Sequence, residues 1–354
     1  MPNKLKIVHL PVYYDNAYQK LLMDELRKLG HEVIDGGGGG NFLRTCLFKW
    51  KPDIFHLHWT HPYMIKYNLV GTIFRACRFI LELKIIKITG TKLVWTVHNL
   101  TSHDSKYPKL EIFFLKILSL IVDKTIVHGK AAKQIVIKKL EIKHPEKISV
   151  IPHGNYIGYY PDNVSNEQSR IELRIKQDSF VLLFFGQIHP YKGVSELIST
   201  FKKLNNQNLI LIIAGVIPSQ RLHEEVNNMI SGDTRIFVYP GYIEDNKFQY
   251  FLHAADLVVL PYRDILSSGS LILAMGFGCC CLVPDLDVLV EMIGIDSGYI
   301  YRKNDQENLQ ATLNKILNNT SEIHDKGTIA RKKVEYWSFK TVAKKTESIY
   351  FSIF

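Results

Sequence analysis

Short apolar runs recur along the chain and end in turn-forming or polar residues. Residues 5–10, the HEVID segment after Gly30, and residues 53–59, 92–99, 125–129 and 148–154 each read as a buried strand. Between them the apolar period lengthens to that of a helix, as over residues 17–29, which stop at Gly30. Residues 155–178 lose this periodicity and gain polar and turn residues, which predicts a linker. A second series of strand-like runs then begins, at residues 181–185, 209–215, 235–241, 256–262 and 279–284, again separated by helical segments. The last segment, YWSFKTVAKKTESIYFSIF, reads as one helix with Phe339, Val342, Thr346, Ile349 and Tyr350 on a face. Strands alternating with helices predict an α/β protein of two doubly wound, Rossmann-like parallel-sheet domains facing across a cleft, the usual place for a ligand.

The stretch richest in chemistry is VLLFFGQIHPYKG, residues 181–193. Five apolar residues stop at Gly186, past which the chain leaves the sheet, and ligands of open α/β sheets collect outside such strand ends. Lys192 supplies a point cation at loop reach. After Gly193, Val194, Leu197, Ile198, Phe201 and Leu204 recur at helical spacing, so the loop opens onto a helix N-terminus, which attracts anions. From this stretch alone an ordinary strand-end turn with a solvated lysine remains an equal reading.

Gly186, Lys192 and Gly193 ahead of a helix resemble the donor-site loop of family-4 retaining glycosyltransferases, which have the GT-B fold. That family carries an arginine after the first glycine, where this chain has Gln187. Gly241, Ala254, Ala255, Asp256 and Pro261 match a second family segment, whose backbone meets the nucleobase at the positions of Tyr242 and Ile243. Residues 267–278, SSGSLILAMGFG, resemble the region where the family has two glutamates, and here those positions hold Ile265 and Leu273. What remains is Ser268, Gly269 and Ser270 at a helix start, whose amides and hydroxyls suit a diphosphate or simply cap a buried helix. Asp264 is a weaker stand-in for a missing acid. The resemblance implies residues 1–165 as an acceptor-binding domain, 166–330 as a nucleotide-sugar domain, and 331–354 as a helix crossing back to the first.

His98 stands at the tip of the strand TVHN, where the family places a histidine that contacts the donor sugar. His61, at a neighbouring strand tip, and His103 and Asp104, just beyond His98, are acceptor-side candidates and the bases an inverting route would need. His58 lies beside them, but without a supporting carboxylate pattern the expectation is no metal site.

Composition sets the class without refining it: 354 residues at 46% hydrophobic and 22% charged are globular and sufficient for two cores. Cys46, Cys77, Cys279, Cys280 and Cys281 have no metal or disulfide spacing and read as small buried residues in a reducing cytoplasm. No signal peptide or membrane span is expected. Charge adds more. Residues 1–170 hold 25 basic against 14 acidic residues, a balance of +11, whereas residues 171–354 balance at −1. A polyanion facing the first half follows, either nucleic acid or an acidic membrane. Phe74, Phe79, Phe113 and Phe114 sit in aliphatic helical runs and are not interleaved with lysine on a strand, which disfavours nucleic acid. Residues 110–121 are apolar over more of a helix than a core stripe needs, with lysines around them, which favours an anionic membrane surface.

The expectation is therefore a cytoplasmic glycosyltransferase, peripheral on the inner face of the plasma membrane. It would move a sugar from a UDP- or GDP-sugar to a hydroxyl acceptor such as a lipid-linked saccharide, in cell-surface polysaccharide or glycolipid synthesis. It would be retaining, metal-independent and without cofactor, with Lys192 and His98 as its catalytic residues. The competing readings are an inactive sugar-nucleotide-binding homologue and a nucleic-acid-binding protein.

Overall fold

A computed structural model describes residues 4–38, 41–66, 68–101 and 106–354. The chain divides into two units, residues 1–154 with 337–354, and residues 155–336. In the first, β1 (Lys6–Leu10), β2 (Glu32–Asp35), β3 (Ile54–Leu57), β4 (Lys92–Thr96), β5 (Lys124–Val127) and β6 (Ile148–Val150) form a parallel sheet ordered β2-β1-β3-β4-β5-β6. In the second, β7 (Phe180–Phe185), β8 (Leu209–Gly215), β9 (Ile236–Pro240), β10 (Leu257–Val259), β11 (Cys281–Pro284) and β12 (Tyr299–Tyr301) are also all parallel, ordered β12-β11-β10-β7-β8-β9.

Each sheet reverses its strand order once, between β1 and β3 in the first unit and between β7 and β10 in the second. The loops leaving the carboxyl ends of those strands part there and leave a crevice. The strands flanking it are fully buried. Val181, Leu182, Leu183 and Phe184 lose all exposure, as do Val8 and Leu10. Continuous β-branched and aromatic runs fit this position because helices cover both faces of a parallel sheet.

The final helix, Phe339–Phe351, belongs to the first unit. Its buried face of Phe339, Val342, Ala343, Thr346 and Tyr350 includes four of the five expected positions, whereas Ile349 stays partly exposed. Glu347 meets His31 Nε2 at 2.8 Å, and the Tyr350 hydroxyl lies 2.6 Å from His56 Nδ1.

Four expectations are corrected. Residues 155–178 are not a slack linker. They hold a helix, Asn166–Glu172, started by a capping box between Ser165 and Gln168. Its Arg170 is buried and donates to the carbonyls of Gln177, Ser179 and Ala254 and to Asp256 Oδ2, which also accepts from Val181 N. Cys77 is exposed, although Cys46, Cys280 and Cys281 are buried as expected. The helix Pro108–Ile121 turns Phe114, Leu115, Leu118, Ile121 and even Glu111 inward, leaving Phe113 and Leu120 as its well-exposed apolar residues. The broad exposed apolar face of the first unit is instead on the helix Leu69–Ile88. The fifth strand of the second series is followed by a sixth, β12, which had no counterpart in the apolar pattern because it is only three residues long. Part of the glycine run, Gly39 and Gly40, lies outside the described residues.

Arg170 ties the start of β7 to β10, and removing it would leave the Asp256 carboxylate partly buried without its partner. Arg170→Leu is expected to cost about 3–5 kcal/mol, the range for breaking a buried pair, read from urea unfolding. A loss of about 1 kcal/mol or less, the size of a surface pair, would remove Arg170 from the structural core.

Candidate functional site

In the second unit the site is built by absences of side chain. Gly186 ends β7 at φ +112°, and Gly215 ends β8 at +145° with its Cα against the Gly186 carbonyl, where a Cβ would collide. Gly193, at φ +71°, abuts the Pro261 carbonyl just as closely. Both the left-handed backbone and the contact require glycine. This brings the loop after β7 against the loop after β10, and the Arg263 N–H donates to the Tyr191 carbonyl at 2.7 Å.

Lys192 closes a short 3-10 turn, Pro190–Lys192, and is 9% exposed. Its Nζ lies over the Tyr262 ring, 5.5 Å from the centroid. A methyl group placed on Gly186 would come within 3.3 Å of that Nζ and 3.0 Å of Ser270 Oγ, so ammonium and hydroxyl converge on the strand end. Ser268 caps the helix Gly269–Gly276 by accepting from Leu271 N at 3.1 Å, and it faces the buried Tyr262 hydroxyl together with Ser270. Burial pushes the Lys192 ammonium down to about 8. Among the described residues no carboxylate lies within ion-pair distance of it.

Of the residues expected to bind donor, the structure brings together Gly186, Lys192, Gly193, Ser268, Gly269 and Ser270. Gln187 is at the same strand end but exposed. Tyr242 and Ile243 follow β9, tied to the others through the Gly241 N–H bond to the Gly215 carbonyl at 3.0 Å; Tyr242 is exposed and Ile243 buried. Leu273 is buried and Ile265 half-buried, so apolar side chains fill the two acidic positions of the resembling family, and Asp264 points to solvent. Two groups went unseen in the sequence. Tyr262 forms the floor under Lys192. Glu196, in the first turn of the helix Val194–Lys202, has a carboxyl raised by burial and Oε2 3.9 Å from Arg263 Nε.

In the first unit His98 is not alone. His9 on β1, His56 on β3, His58 just past β3, His98 past β4, His128 past β5 and His153 past β6 collect along the carboxyl ends of the strands around the Tyr18 ring. Burial lowers all six imidazoles, to about 3 for His9 and His128 and about 4 for His153, so they are neutral at pH 7. His61 lies in the helix His61–Met64 next to the cluster in sequence, whereas His103 and Asp104 lie outside the described residues. Sequence reasoning missed the gathering because no strand contributes more than two members and only the sheet order brings them together.

His9, His56 and His58 place ligand nitrogens within 4.8 Å of one another, a spacing a metal ion could close. The hydrogen bonds favour proton sharing. His56 engages both nitrogens, with Tyr350 and with Thr96 Oγ1 at 2.7 Å. His9 Nδ1 meets His58 Nε2 at 2.8 Å, and His58 Nδ1 meets His98 Nε2 at 3.1 Å, in rings tilted only 20° and 22° to each other. His9 Nε2 is buried with no hydrogen-bond partner among the described residues. An orphaned acceptor is cheaper than an orphaned N–H, so His9 carries its proton on Nδ1 and donates to His58. His58 in turn donates from Nδ1 to His98 Nε2, which leaves the His98 proton on Nδ1.

These two sites sit on two sheets of one class. The architecture is that of the GT-B glycosyltransferases: sucrose-phosphate synthase from Thermosynechococcus elongatus superposes with a TM-score of 0.77 at 14% identity over 98% of each chain. Anabaena HepE in complex with UDP-glucose superposes at 0.78, also 14% identical, over 98% of this chain and 100% of that one. Residues 165–333 match the glycosyl transferases group 1 family model, a span that holds every residue of the Lys192 site. The chain is 28% identical over 243 residues to a GDP-mannose:glycolipid 4-beta-D-mannosyltransferase of Xanthomonas campestris pv. campestris, covering 68% of this chain and 64% of the relative, less than two thirds of its length. A lipopolysaccharide 1,2-N-acetylglucosaminetransferase of Salmonella typhimurium is 29% identical over 122 residues, 32% of each chain.

Nitrogen chemical shifts of selectively labelled histidine are expected to report Nδ1–H at His9, His58 and His98 at neutral pH. A His98 proton on Nε2 would reverse the direction of the chain.

Proposed function

We propose that the protein is a glycosyltransferase that moves a sugar from a nucleoside diphosphate sugar to a hydroxyl acceptor. The observation that carries this reading is Lys192, a buried cation without a carboxylate partner among the described residues. It faces Ser270 and the bare Gly186 backbone where the sheet reverses. A diphosphate placed there would accept from Lys192, from the Ser268 and Ser270 region and from amides at the start of the helix Gly269–Gly276. As the glycosidic bond breaks, negative charge grows on the leaving phosphate, and donors already aimed at it stabilise the transition state more than the ground state. In this reading the cationic loop does the work of a divalent metal, no cofactor is needed, and Tyr242 and Ile243 meet the base.

The activity of the Xanthomonas relative supports a GDP-sugar and a glycolipid acceptor, and the HepE complex supports a UDP-sugar; UDP- and GDP-sugars both stay within the proposal. The first unit takes the acceptor, with His98 donating from Nδ1 to a sugar oxygen and His61, His103 and Asp104 on the acceptor side. A lipid-linked acceptor would keep the protein peripheral on the cytoplasmic face of the plasma membrane, in polysaccharide or glycolipid synthesis. None of the helices among the described residues is long and apolar enough to span it. Membership of the retaining family 4 is the stereochemical reading that the resemblance supplies. The apolar side chains of Ile265 and Leu273 favour a second reading, a sugar-nucleotide-binding homologue that does not turn over. Transfer of label from UDP- or GDP-sugar to a lipid extract separates the two, and the anomeric signal of the product gives the stereochemistry.

Lys192→Ala is expected to weaken UDP or GDP binding by about 1.5–3 kcal/mol, the range for a hydrogen bond to a charged group, in calorimetry. Unchanged binding would return Lys192 to a packing role. Wild-type affinity should fall as pH rises from 8 toward the unfolded value of 10.5, because the free protein loses the Lys192 proton across that window. Stability should move the other way there, since the unfolded chain still binds the proton that the folded chain has released. His98→Ala is expected to keep its melting midpoint within a few degrees and lose most turnover; normal turnover would exclude His98 from the site.

A further inference from the structure

The helix Leu69–Ile88 carries a second, unassigned feature. Val70, Phe74, Leu81 and Ile88 are all more than half exposed, at 78%, 68%, 58% and 84%. Their spacing places them on one stripe of a 3.6-residue helix. Packing against the first unit's sheet uses the opposite face, through Ala76, Phe79, Leu83 and Ile86. Phe74 belongs to the stripe and also lines a cavity of about 360 Å³ beneath it. The cavity walls are aromatic, with Tyr63 stacked on Phe79 at 5.3 Å, and they carry Lys66, Arg75 and Arg78 against the single acid Glu82.

The single acid does not neutralise these cations. Glu82 accepts from Arg78 Nε at 2.8 Å, and Arg75 donates to the Pro62 carbonyl at 2.9 Å, which leaves the cavity with a positive surplus. Tyr63 is 6% exposed, and its buried hydroxyl has no hydrogen-bond partner among the described residues. Burial raises the phenol while the neighbouring Arg75 opposes that shift, so it remains a neutral O–H donor beside a guanidinium. A buried unpaired donor next to surplus positive charge fits an anionic acceptor. Aromatic walls running into an exposed apolar stripe fit an acyl chain, which inorganic phosphate lacks.

We propose that this cavity binds the phosphate group of a membrane phospholipid, with the stripe of the helix Leu69–Ile88 lying against the acyl boundary. The inference deepens the membrane-proximal reading of the proposed function and rests on it. It names Tyr63, Lys66 and Arg75 as the residues that recognise the phosphate and Val70, Phe74 and Leu81 as those that enter the lipid. The +11 balance of residues 1–170 attracts the chain toward an anionic leaflet before any contact forms.

The test uses the full chain, sedimented with phosphatidylcholine vesicles with and without phosphatidylglycerol. Calorimetry with monomeric dihexanoyl phosphatidic acid and with inorganic phosphate accompanies it. Wild type is expected to bind the phosphatidylglycerol vesicles and the short-chain lipid, and inorganic phosphate only weakly. Tyr63→Phe and Arg75→Gln should each weaken the short-chain lipid about tenfold, what the loss of a hydrogen bond to a charged group gives. Val70→Ser with Leu81→Ser should lose the vesicles and keep the short-chain lipid. Melting midpoints confirm that each variant folds, and UDP or GDP binding, measured in parallel, reports the donor site separately. Vesicle binding that survives in Tyr63→Phe and Arg75→Gln, or inorganic phosphate binding as tightly as the short-chain lipid, would overturn the proposal while leaving donor binding intact. Absence of vesicle binding by wild type would overturn it together with the membrane-proximal reading.

Discussion

Close approach of backbone to backbone at the reversal of the second sheet is the constraint on which the candidate donor site depends. Gly215 presses on the Gly186 carbonyl, and Gly193 presses on that of Pro261. A Cβ at Gly215 would force apart the ends of β7 and β8, and one at Gly193 would separate the loops after β7 and β10, so Lys192 would no longer stand beside Ser270. The strands that hold this geometry contribute only burial. The register of β7 with β8 runs unbroken from Phe180–Leu209 to Phe185–Ala214, so the positions of Gly186 and Gly215 are set by the ladder before either loop begins.

The two units bury ionisable groups in opposite ways. In the second, Lys192 retains a charge that its surroundings disfavour, and an arriving anion would relieve that cost. In the first, the imidazoles avoid charge altogether. Each lowers its neighbours' proton affinity as well as losing its own to burial, and the hydrogen bonds among His9, His58 and His98 serve neutral rings. A proton added anywhere in that row would be shared along it. The polar contents of the two crevices therefore differ: one is a fixed cation, the other a row of neutral donors and acceptors suited to hydroxyl groups.

The fold was legible in the sequence because buried parallel strands write themselves as short, mostly apolar runs, and eleven of the twelve strands among the described residues were found that way. β12 is too short to register, and the polar segment 155–178 hides the structural part played by Arg170, whose bonds lie within a core. The loop after β7 was legible as a strand-end loop because glycine and lysine carry local meaning at fixed offsets from a strand end. The histidine row was not, since its members lie from 9 to 153 in the chain and only the sheet order makes them neighbours. Faces of helices were the least readable. The apolar count of the helix Pro108–Ile121 suggested an exposed patch, yet neighbouring helices cover most of it, whereas the stripe on Leu69–Ile88 is diluted in sequence by Arg75, Arg78, Lys84 and Lys87.

The two acidic positions of the resembling family bear on how the site at Lys192 works. A carboxylate at Leu273 or Ile265 would stand near the loop that carries the only buried cation of the second sheet's crevice among the described residues, and the pair would partly cancel before any ligand arrived. Apolar side chains there leave the Lys192 charge without a carboxylate, over the ring of Tyr262. Cation–π contact is weaker than an ion pair and does not compete for the hydrogen-bonding directions of the ammonium. In the proposed function, apolar side chains at these two positions would forgo carboxylate contacts to sugar and ribose hydroxyls but raise the field available to a phosphate. Under the same proposal, selectivity at such a site would shift from hydroxyl recognition by carboxylates toward the diphosphate itself, with Ser268 and Ser270 as the neutral groups beside it.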